Sequence, residues 1–401
     1  MSVFLLATLD TKGRELAYVR DRLSEANIET TVMDTGCIGE PSGITADITR
    51  EQVFEAAGTS LKEMHDKGDR GVAVTNAAEG AAAIVSEAHA QGNVDGVMAI
   101  GGSAGSTIGT AAMRALPLGV PKVMVSTLAS GNVRGFVGDK DIVMVNSVVD
   151  ILGLNRISRT VLAEAAWAMA GMVKFKVNTS SAEDKPLVAA TMFGVTTPCV
   201  ERAREVLEEN GYEVLVFHAT GTGGQAMETL IRDGLIIGVL DITTTELADE
   251  MVGGFLSAGP DRLTAAGKLG IPQVVSVGAT DMANFHAMSS VPEPFKDRNL
   301  YKHNQHVTLM RTTAEENTRI GEAIGQKIAA STGPSAIMLP RQGVSAIDRE
   351  GQPFDDPEAR RALYDSIRKN CANTEVIELD NHINDAPFAE AAAQKLIELM
   401  K

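Results

Sequence analysis

Two glycine-rich segments of this 401-residue chain have the composition of anion-binding loops. The first, GGSAGST, occupies residues 101–107, after an apolar run and before a helical pattern. Consecutive backbone amides at a helix N-terminus bind phosphate or carboxylate groups, and nearby hydroxyls add donors. No Gly-Lys-Ser/Thr is present, so the loop is not a Walker A motif, and a tight turn remains the alternative. The residues expected to bind the anion are Gly101, Gly102, Ser103, Gly105, Ser106 and Thr107.

Other polar residues follow predicted strands of the same half. Asp10, Thr11 and Lys12 come after the first strand, and Ser130 and Asn132 come after the strand KVMVSTL. Ligands of open α/β sheets bind at the carboxyl ends of the strands, so we expect these residues beside the glycine loop. Lys12 is then the cation next to a phosphate, and Asp10 accepts from a ribose or helps to hold Mg²⁺.

The second glycine-rich segment spans residues 221–226. It fits the dinucleotide pattern G-x-G-x-x-A, and Asp241 lies twenty positions further on, where the ribose carboxylate is expected. However, the preceding run VLVFH reads as the second strand of its half, whereas the fingerprint belongs after the first. We therefore favour a cradle for a small anionic substrate over NAD(P), and plain turns remain the alternative.

Threonines and an asparagine follow the neighbouring strands of the second half, in TTPC, DITTTE and DMAN. Because these strand ends share one sheet edge, we expect their loops to converge on one substrate pocket. Helix capping by the threonines and Glu246 is the alternative. The residues expected to bind the substrate are Thr196, Thr197, Gly221, Thr222, Gly223, Gly224, Thr243, Thr244, Thr245 and Asn284.

Three residues are candidates for catalysis. His218 lies between a strand and the second glycine loop, where an imidazole could transfer a proton. His303 and Arg311 belong to the polar segment KHNQHVTLMR and could close over an anionic ligand. His-x-x-His can ligate a metal, but no third ligand is visible and no metal is expected. Cys199, which opens a helix, could have a lowered thiol pKa, although a structural role is its default.

Short β-branched runs alternate with helical patterns along the chain, which predicts parallel strands joined by crossover helices. The predicted strands of the first half are VFLLATL, IETTVMDTG, GVAVTN, GVMAIGG and KVMVSTL. The pattern restarts near Lys185, and the two halves echo one another weakly. The fold class is therefore α/β, with two doubly wound Rossmann-like domains at residues 1–182 and 183–401. The polar segment at residues 177–186 is their predicted linker.

The segment MVNSVVDILGLNRISRTVLAEAAWAMAGMVKF reads as one long, mostly apolar helix. Such a helix must be covered, either between domains or in a homodimer interface. The last segment, NDAPFAEAAAQKLIELM, reads as an amphipathic helix with Asp385 near its cap and Pro387 in its first turn.

Composition excludes several classes of protein. The formal net charge of −16 argues against a nucleic-acid surface, because phosphate backbones require clustered cations. No apolar stretch is long enough to span a membrane, and the start of the chain lacks a basic signal region. Three widely spaced cysteines indicate a reducing, cytoplasmic environment.

Several motifs in order resemble one family. They are ATLDTKG, GGSAGS, STLASGN with MVNSVVDILGLN, MFGVTTPCVERAR, HATGTGGQAME, DITTTELADE and HN-x-x-VTLMRT. The chain is similar over its whole length to a two-domain family of bacterial and fungal proteins related to the ATP-binding inhibitory domain of a plant tobamovirus-resistance protein. The resemblance implies two Rossmann-like domains, a dimer, and binding of ATP, carried over to residues 101–107 and their neighbours. It implies no agreed reaction.

Three functions remain open. The chain could be an enzyme that uses ATP, with or without Mg²⁺, on a small anionic or phosphorylated metabolite in a cleft between the domains. It could instead be a nucleotide-responsive binding module without turnover. A hydrolase or lyase of an oxo-acid, centred on His218 or Cys199, is the third hypothesis.

Overall fold

The protein is described by a computed structural model that covers residues 2–176 and 185–401. The chain divides into two compact units, residues 1–180 (unit 1) and 181–401 (unit 2), which are treated separately below. The predicted linker at residues 177–186 lies almost entirely outside the described residues. Among the residues described, no helix is long and apolar enough to cross a membrane.

Unit 1 is built on a five-stranded parallel sheet. Its strands run in the order β2-β1-β3-β4-β5. The order reverses between β1 and β3, so the helices after these two strands cover opposite faces and leave a crevice at the carboxyl edge. The strands are β1 (Ser2–Ala7), β2 (Thr30–Asp34), β3 (Val94–Gly101), β4 (Lys122–Ser126) and β5 (Val143–Asn146). The helices are α1 (Leu9–Glu25), α2 (Arg50–Ala56), α3 (Leu61–Lys67), α4 (Arg70–Ala90), α5 (Ser103–Arg114), α6 (Arg134–Val137) and α7 (Arg156–Lys174).

Strand β1 is buried on both faces, and its side chains alternate between two cores. Phe4 and Leu6 pack with residues of α2, α4 and α5, whereas Val3 and Leu5 pack with residues of α1 and α7. A central parallel strand covered on both sides is expected to be apolar throughout, as β1 is. The sheet therefore holds the β1 and β3 carboxyl ends rigidly beside one another.

Two predictions for unit 1 are wrong. The run GVAVTN is not a strand: it lies in α4, where the Asp69 side chain caps the helix by accepting from the amides of Gly71 and Val72 at 2.8 and 3.1 Å. This cap and the alanine-rich sequence that follows favour a helix over the β-branched residues. The segment at residues 144–175 is not one helix either, because it contains part of β5, a loop and α7.

Unit 2 contains a six-stranded parallel sheet with the order β14-β13-β9-β8-β6-β7. Four adjacent strands of this sheet, β7-β6-β8-β9, repeat the order β2-β1-β3-β4 of unit 1. The strands are β6 (Leu187–Met192), β7 (Glu213–His218), β8 (Gly238–Thr243), β9 (Gln273–Gly278), β13 (Ser335–Pro340) and β14 (Glu375–Leu379). The helices are α8 (Thr197–Glu209), α9 (Thr222–Arg232), α10 (Thr245–Val252), α11 (Ala265–Leu269), α12 (Ala314–Ala329), α13 (Pro357–Asn370) and α14 (Ala386–Leu399).

A small antiparallel sheet is inserted between β9 and α12. It consists of β10 (Met282–Phe285), β11 (Leu300–Lys302) and β12 (Thr308–Arg311), in the order β10-β12-β11. The two parallel sheets confirm the predicted α/β class, and β7 is the second strand of its half, as predicted. Helix α14 begins as expected, with Asp385 at its cap and a proline in its first turn.

The apolar stretch that suggested a dimer is covered in part within unit 1. On α7, Leu162, Ala166 and Met169 are at most 2% exposed and pack against residues of β1, β3 and β4. Trp167, on the other side of the same helix stretch, is 52% exposed. The homodimer stays a prediction that rests on the resemblance.

Candidate functional site

A crevice of about 270 Å³ opens at the carboxyl edge of unit 1. It is lined by residues that follow β1 and β3, the two strands between which the sheet order reverses. Doubly wound proteins bind their ligands at this point of the sheet. We call it the switch-point crevice, and its polar and charged lining consists of Thr8, Asp10, Thr11, Lys12, Thr35, Cys37, Arg70, Ser103 and Asp150.

The first turn of α5 presents free amides to this crevice. Gly102 is the N-cap and has no side chain to satisfy them, and the first helical bond runs from the Ser106 amide to the Gly102 carbonyl at 2.8 Å. Within the described residues, the amides of Ser103, Ala104 and Gly105 have no acceptor. Unpaired amides of a helix N-terminus carry partial positive charge and attract anions.

Two cations and two carboxylates surround these amides. The side chains of Lys12 and Arg70 make no hydrogen bond or ion pair with any described residue, although both line the crevice. Asp150 is likewise unpaired within the described chain. The crevice lining therefore combines two unpaired cations and free amides, which attract anions, with two carboxylates, in a chain whose overall charge is −16.

Asp10 is held by the loop that follows β2. Its Oδ2 accepts from the amides of Ile38 and Gly39 at 3.3 and 3.1 Å, while its buried Oδ1 has no partner among the described residues. Below it, buried Asp34 accepts from the amides of Leu9 and Gly36, and desolvation raises the pKa of its carboxyl group. Asp10 therefore has one carboxylate oxygen that is buried and without a partner among the described residues, and its predicted role stays a prediction.

Some predicted nucleotide-binding residues do not face the crevice. Ser106 is fully buried, with its Oγ 2.6 Å from the Ser126 Oγ, and Thr107 donates its hydroxyl proton to the Ser103 carbonyl at 3.0 Å. Gly101 supports packing, since a Cβ there would lie 2.9 Å from the Gly105 Cα. Ser130 and Asn132 are exposed and outside the crevice lining. The direct roles predicted for Ser106, Thr107 and Gly101 are therefore wrong, because these residues bond or pack within unit 1, and Ser130 and Asn132 are not part of this crevice.

Sequence reasoning missed Arg70, Thr35, Cys37 and Asp150. Arg70 was overlooked because the segment after it was read as a strand rather than as α4. The signal was present, since Asp69 followed by Arg70 and an alanine-rich run is typical of a capped helix start. Asp150 was hidden inside the segment read as one helix.

Unit 2 contains a separate cavity of about 280 Å³ at the ends of β6 and β7. It brings together the predicted His218 and His303, although 85 residues separate them in sequence. Neither imidazole has a hydrogen-bond partner among the described residues, and the Phe193 ring centroid lies 5.5 Å from that of His218. We call this the histidine cavity, and its other side chains include Phe193, Val195, Thr220, Phe255, Leu256, Asn304, Val307 and Leu309.

The second glycine loop does not hold its amides free. The Glu246 carboxylate accepts from the amides of Gly221 and Gly224 at 2.7 and 3.1 Å. A Cβ on Gly223 would overlap the His218 carbonyl, and one on Gly224 would overlap Glu246. The glycines are therefore needed for close packing, and a carboxylate of the protein itself occupies the anion-binding position at the start of α9.

Asp241 has a structural partner that the sequence did not suggest. Both oxygens of Asp241 accept from the Arg262 guanidinium, at 2.5 and 2.7 Å, and Arg262 also contacts Glu246 at 2.5 Å. A third carboxylate, Glu228, lies 3.6 Å away, and all four side chains are at most 4% exposed. Asp241 is therefore not free for a ribose, which removes the second element of the dinucleotide pattern.

The threonines of the predicted substrate pocket mostly form hydrogen bonds within the protein. The hydroxyls of Thr196 and Thr243 lie 2.8 Å apart, and Thr244 donates to the Ser276 carbonyl at 3.0 Å. Asn284 binds the Asp249 carboxylate through its backbone and side-chain nitrogens at 2.8 and 2.7 Å. Thr245 is fully buried, Thr197 bonds to carbonyls of its own turn, and Thr222 is exposed. The loops do end adjacent strands, but their polar groups mostly satisfy one another.

Arg311 and Cys199 are not available to a ligand either. Arg311 is 6% exposed and donates to the carbonyls of Phe354, Asp281 and Thr312, so it cannot close over a pocket. Cys199 is fully buried, and this desolvation raises the pKa of its thiol to about 12, the opposite of an activated nucleophile. Within the described residues, no group of three or more His, Cys, Asp or Glu side chains is placed to hold a metal ion.

Comparison with known proteins reveals close relatives. The UPF0261 protein of Clostridium tetani is 51% identical over 100% of this chain and 99% of its own length. A UPF0261 protein of Mesorhizobium japonicum is 44% identical, over 98% of this chain and 97% of its own length. The ToMV resistance protein Tm-1 of Solanum lycopersicum is 39% identical over 99% of this chain, which corresponds to 55% of that protein.

The solved structures that resemble this chain do so only weakly. UDP-N-acetylglucosamine 2-epimerase from Rickettsia bellii covers 100% of this chain and 95% of its own, with 10% identity and a TM-score of 0.22. A similarity this weak carries no argument about function. In contrast, residues 1–178 match the N-terminal domain, and residues 185–400 the C-terminal domain, of the Uncharacterised protein family (UPF0261). Together with the close relatives, these two matches establish that the chain belongs to the UPF0261 family.

Proposed function

We propose that unit 1 binds the phosphate groups of ATP or a related nucleotide in the switch-point crevice. The observation that carries this proposal is the meeting of three free amides of α5 with the unpaired side chains of Lys12 and Arg70. Amides of a helix start and nearby cations are the common means of binding phosphates. The family resemblance favours ATP among the possible nucleotides.

Each lining group has a distinct role in this proposal. The amides of Ser103, Ala104 and Gly105 donate to phosphate oxygens, and Lys12 and Arg70 neutralise their charge. Asp10 lines the crevice and is the carboxylate proposed to accept from a ribose hydroxyl or to ligate Mg²⁺, which is commonly held by one or two carboxylates together with phosphates. Asp150 is the second carboxylate available for the cation.

Titration calorimetry with ATP tests this proposal. Gly102→Leu should greatly weaken binding, because the new side chain stands beside the amides that receive the phosphate. The fold should tolerate it, since the φ of Gly102 is −87° and the nearest atom to a Cβ would be the Thr127 Oγ1 at 3.6 Å. Lys12→Ala should weaken binding by about tenfold or more, as expected for a lost charged hydrogen bond. An ATP affinity unchanged in Gly102→Leu would overturn the assignment.

We further propose that the histidine cavity of unit 2 takes a small substrate and that His218 transfers a proton there. The specific observation in favour is that two unpaired imidazoles lie in one concave, largely apolar site. Histidine titrates near neutral pH, and a cavity with apolar walls and a few polar groups is typical of small-molecule sites. The substrate would have an apolar part against Phe193 and Phe255 and an acidic or hydroxyl group near the imidazoles.

The test is conversion of a metabolite, followed by mass spectrometry, during incubation of pools of metabolites with the protein in the presence and absence of ATP. His218→Gln should abolish metabolite-dependent turnover without changing the affinity for ATP, because the two cavities belong to different units. His306→Gln is the matched control, since His306 is exposed and does not line the cavity. Turnover that persists in His218→Gln would contradict the catalytic role, and ATP binding without any turnover would favour the binding-module hypothesis.

A further inference from the structure

A third cavity, of about 250 Å³, lies at the outer part of unit 2 and is lined by four arginines. Arg360, Arg361 and Arg368 project from one face of α13, because residues three, four, seven and eight apart on a helix are neighbours. Arg341 follows β13 directly, and its backbone amide donates a hydrogen bond to the carbonyl of Leu379, the last residue of β14, at 2.9 Å. A strand end and a helix face thus place four guanidinium groups around one space.

Two of these arginines are already neutralised. Arg360 contacts Asp348 at 2.6 Å and Asp355 at 3.0 Å, and Arg368 pairs with Asp365 and Glu378. These pairs brace α13 against the chain around it. The charges of two of the four arginines of the cavity are therefore balanced by carboxylates of the protein itself.

The other two arginines have no partner. The side chains of Arg341 and Arg361 are exposed and make no hydrogen bond or ion pair with any residue that the structure describes. Unlike a lone surface arginine, these two guanidinium groups line the same cavity, one following β13 and one on α13, in a chain of net charge −16. Buried Tyr364 also lines the cavity, and its hydroxyl ties α13 to the end of β13 by donating to the Pro340 carbonyl at 2.6 Å.

We propose that this arginine cavity binds the phosphoryl group of a small metabolite. Arg341 and Arg361 carry two charges, which match a phosphate dianion near neutral pH. A tetrahedral phosphoryl group can accept from guanidinium forks on two walls at once, whereas the two oxygens of a carboxylate lie in one plane and suit one fork. Backbone amides are not the donors, because Asp356 already caps α13 by accepting from Glu358 and Ala359.

The space available limits the ligand. At about 250 Å³ the cavity is smaller than most sites for drug-sized ligands, so it fits a phosphate with a short carbon skeleton. The site is distinct from the switch-point crevice, since the two belong to different units. The inference therefore does not depend on nucleotide binding in unit 1.

Arginine modification by phenylglyoxal, mapped by peptide mass spectrometry on the full chain, tests the proposal residue by residue. Inorganic phosphate is the first probe and succinate the second. We expect phosphate to slow modification of Arg341 and Arg361 severalfold, and more than succinate does. Arg159, exposed and unpaired on α7, is the control and should react at the same rate throughout.

A variant links the two arginines to one ligand. Arg361→Ala should remove the protection of Arg341 by phosphate, because a shared phosphoryl group loses half of its donors, whereas Arg159→Ala should leave that protection intact. Equal rates at Arg341 with and without phosphate, or protection by succinate alone, would overturn the proposal. The same peptide maps, measured with ATP, show whether ATP slows modification of Arg70. The proposal for unit 1 is thus tested independently of the proposal for the arginine cavity.

Discussion

At the scale of single residues, Arg262 organises the carboxyl edge of unit 2. It is fully buried and is the cation shared by Asp241, Glu246 and Glu228. Taking charges out of water is costly, and a buried group of this kind is stable only when each charge has a partner. Glu246 in turn satisfies the amides of Gly221 and Gly224. The glycines and threonines that looked like a ligand site thus belong to one internal polar network.

Replacing Arg262 by Met should therefore be severely destabilising. It leaves three buried carboxylates without their cation, and breaking such a group costs about 3–5 kcal/mol of unfolding free energy. Chemical unfolding followed by circular dichroism measures the effect. The control Arg204→Ala removes an exposed arginine of α8 and should change the unfolding free energy by less than about 0.5 kcal/mol. A loss in Arg262→Met no larger than that of the control would contradict the structural role.

Asp249 should make the stability of unit 2 depend on pH. Desolvation raises its pKa from 3.8 to about 7. Between these values the folded state holds a proton that the unfolded state has released, so the unfolding free energy falls as pH rises through this range. Asp249→Asn removes the titration. Its amide can still pair with Asn284, whose Oδ1 is buried without a partner and can accept after an amide flip.

The measurement is thermal unfolding at pH about 5 and about 8, compared between wild type and Asp249→Asn. From the lower to the higher pH, the unfolding free energy of the wild type should fall by more than that of the variant. The difference between the two drops should exceed about 1.4 kcal/mol, the equivalent of one pKa unit. Trp167, the single tryptophan, lies in unit 1, so its fluorescence serves as an internal reference that should not change. An identical pH dependence in both proteins would show that Asp249 is ionised throughout.

At the scale of secondary-structure elements, α1 and the loop after β2 are packed closely enough to shape the switch-point crevice. Gly13 lies in α1, and a Cβ there would overlap the Ser42 carbonyl oxygen. The same loop contributes Cys37 and Ile38 to the crevice lining and holds Asp10 through two amides. A larger side chain on the face of α1 that contacts this loop should therefore displace the loop and alter the lining of the switch-point crevice.

We expect Gly13→Ala to cost about 1–3 kcal/mol of unfolding free energy, as overpacking does, and to weaken ATP binding by displacing the loop. Gly171→Ala makes the same chemical change in α7, where nothing lies within 4 Å of the new Cβ. That variant should instead gain about 0.5–1 kcal/mol, because alanine favours the helix. Thermal unfolding followed by Trp167 fluorescence compares the two, and equal effects would contradict the packing argument.

At the scale of the whole molecule, periodic apolar runs and strand-end loops were enough to predict two parallel α/β sheets and the position of the first crevice. Residue types alone could not show which polar groups face a ligand. Ser106 and Thr243 resemble ligand donors in sequence, but each finds its partner inside the protein. Such partners lie 20 and 47 positions away, so only the folded chain reveals them. Arg70 was missed for the opposite reason, because a capped helix resembled a strand.

The central claim is that the switch-point crevice of unit 1 binds nucleotide phosphates. Hydrogen exchange followed by mass spectrometry, with and without ATP, tests it most directly, because it reports where the ligand binds along the chain. The amides of residues 9–12 and 102–106 should exchange more slowly when ATP is bound, while those of residues 221–226 should not change. Unchanged exchange at residues 102–106, or slowing at residues 221–226 instead, would contradict the account.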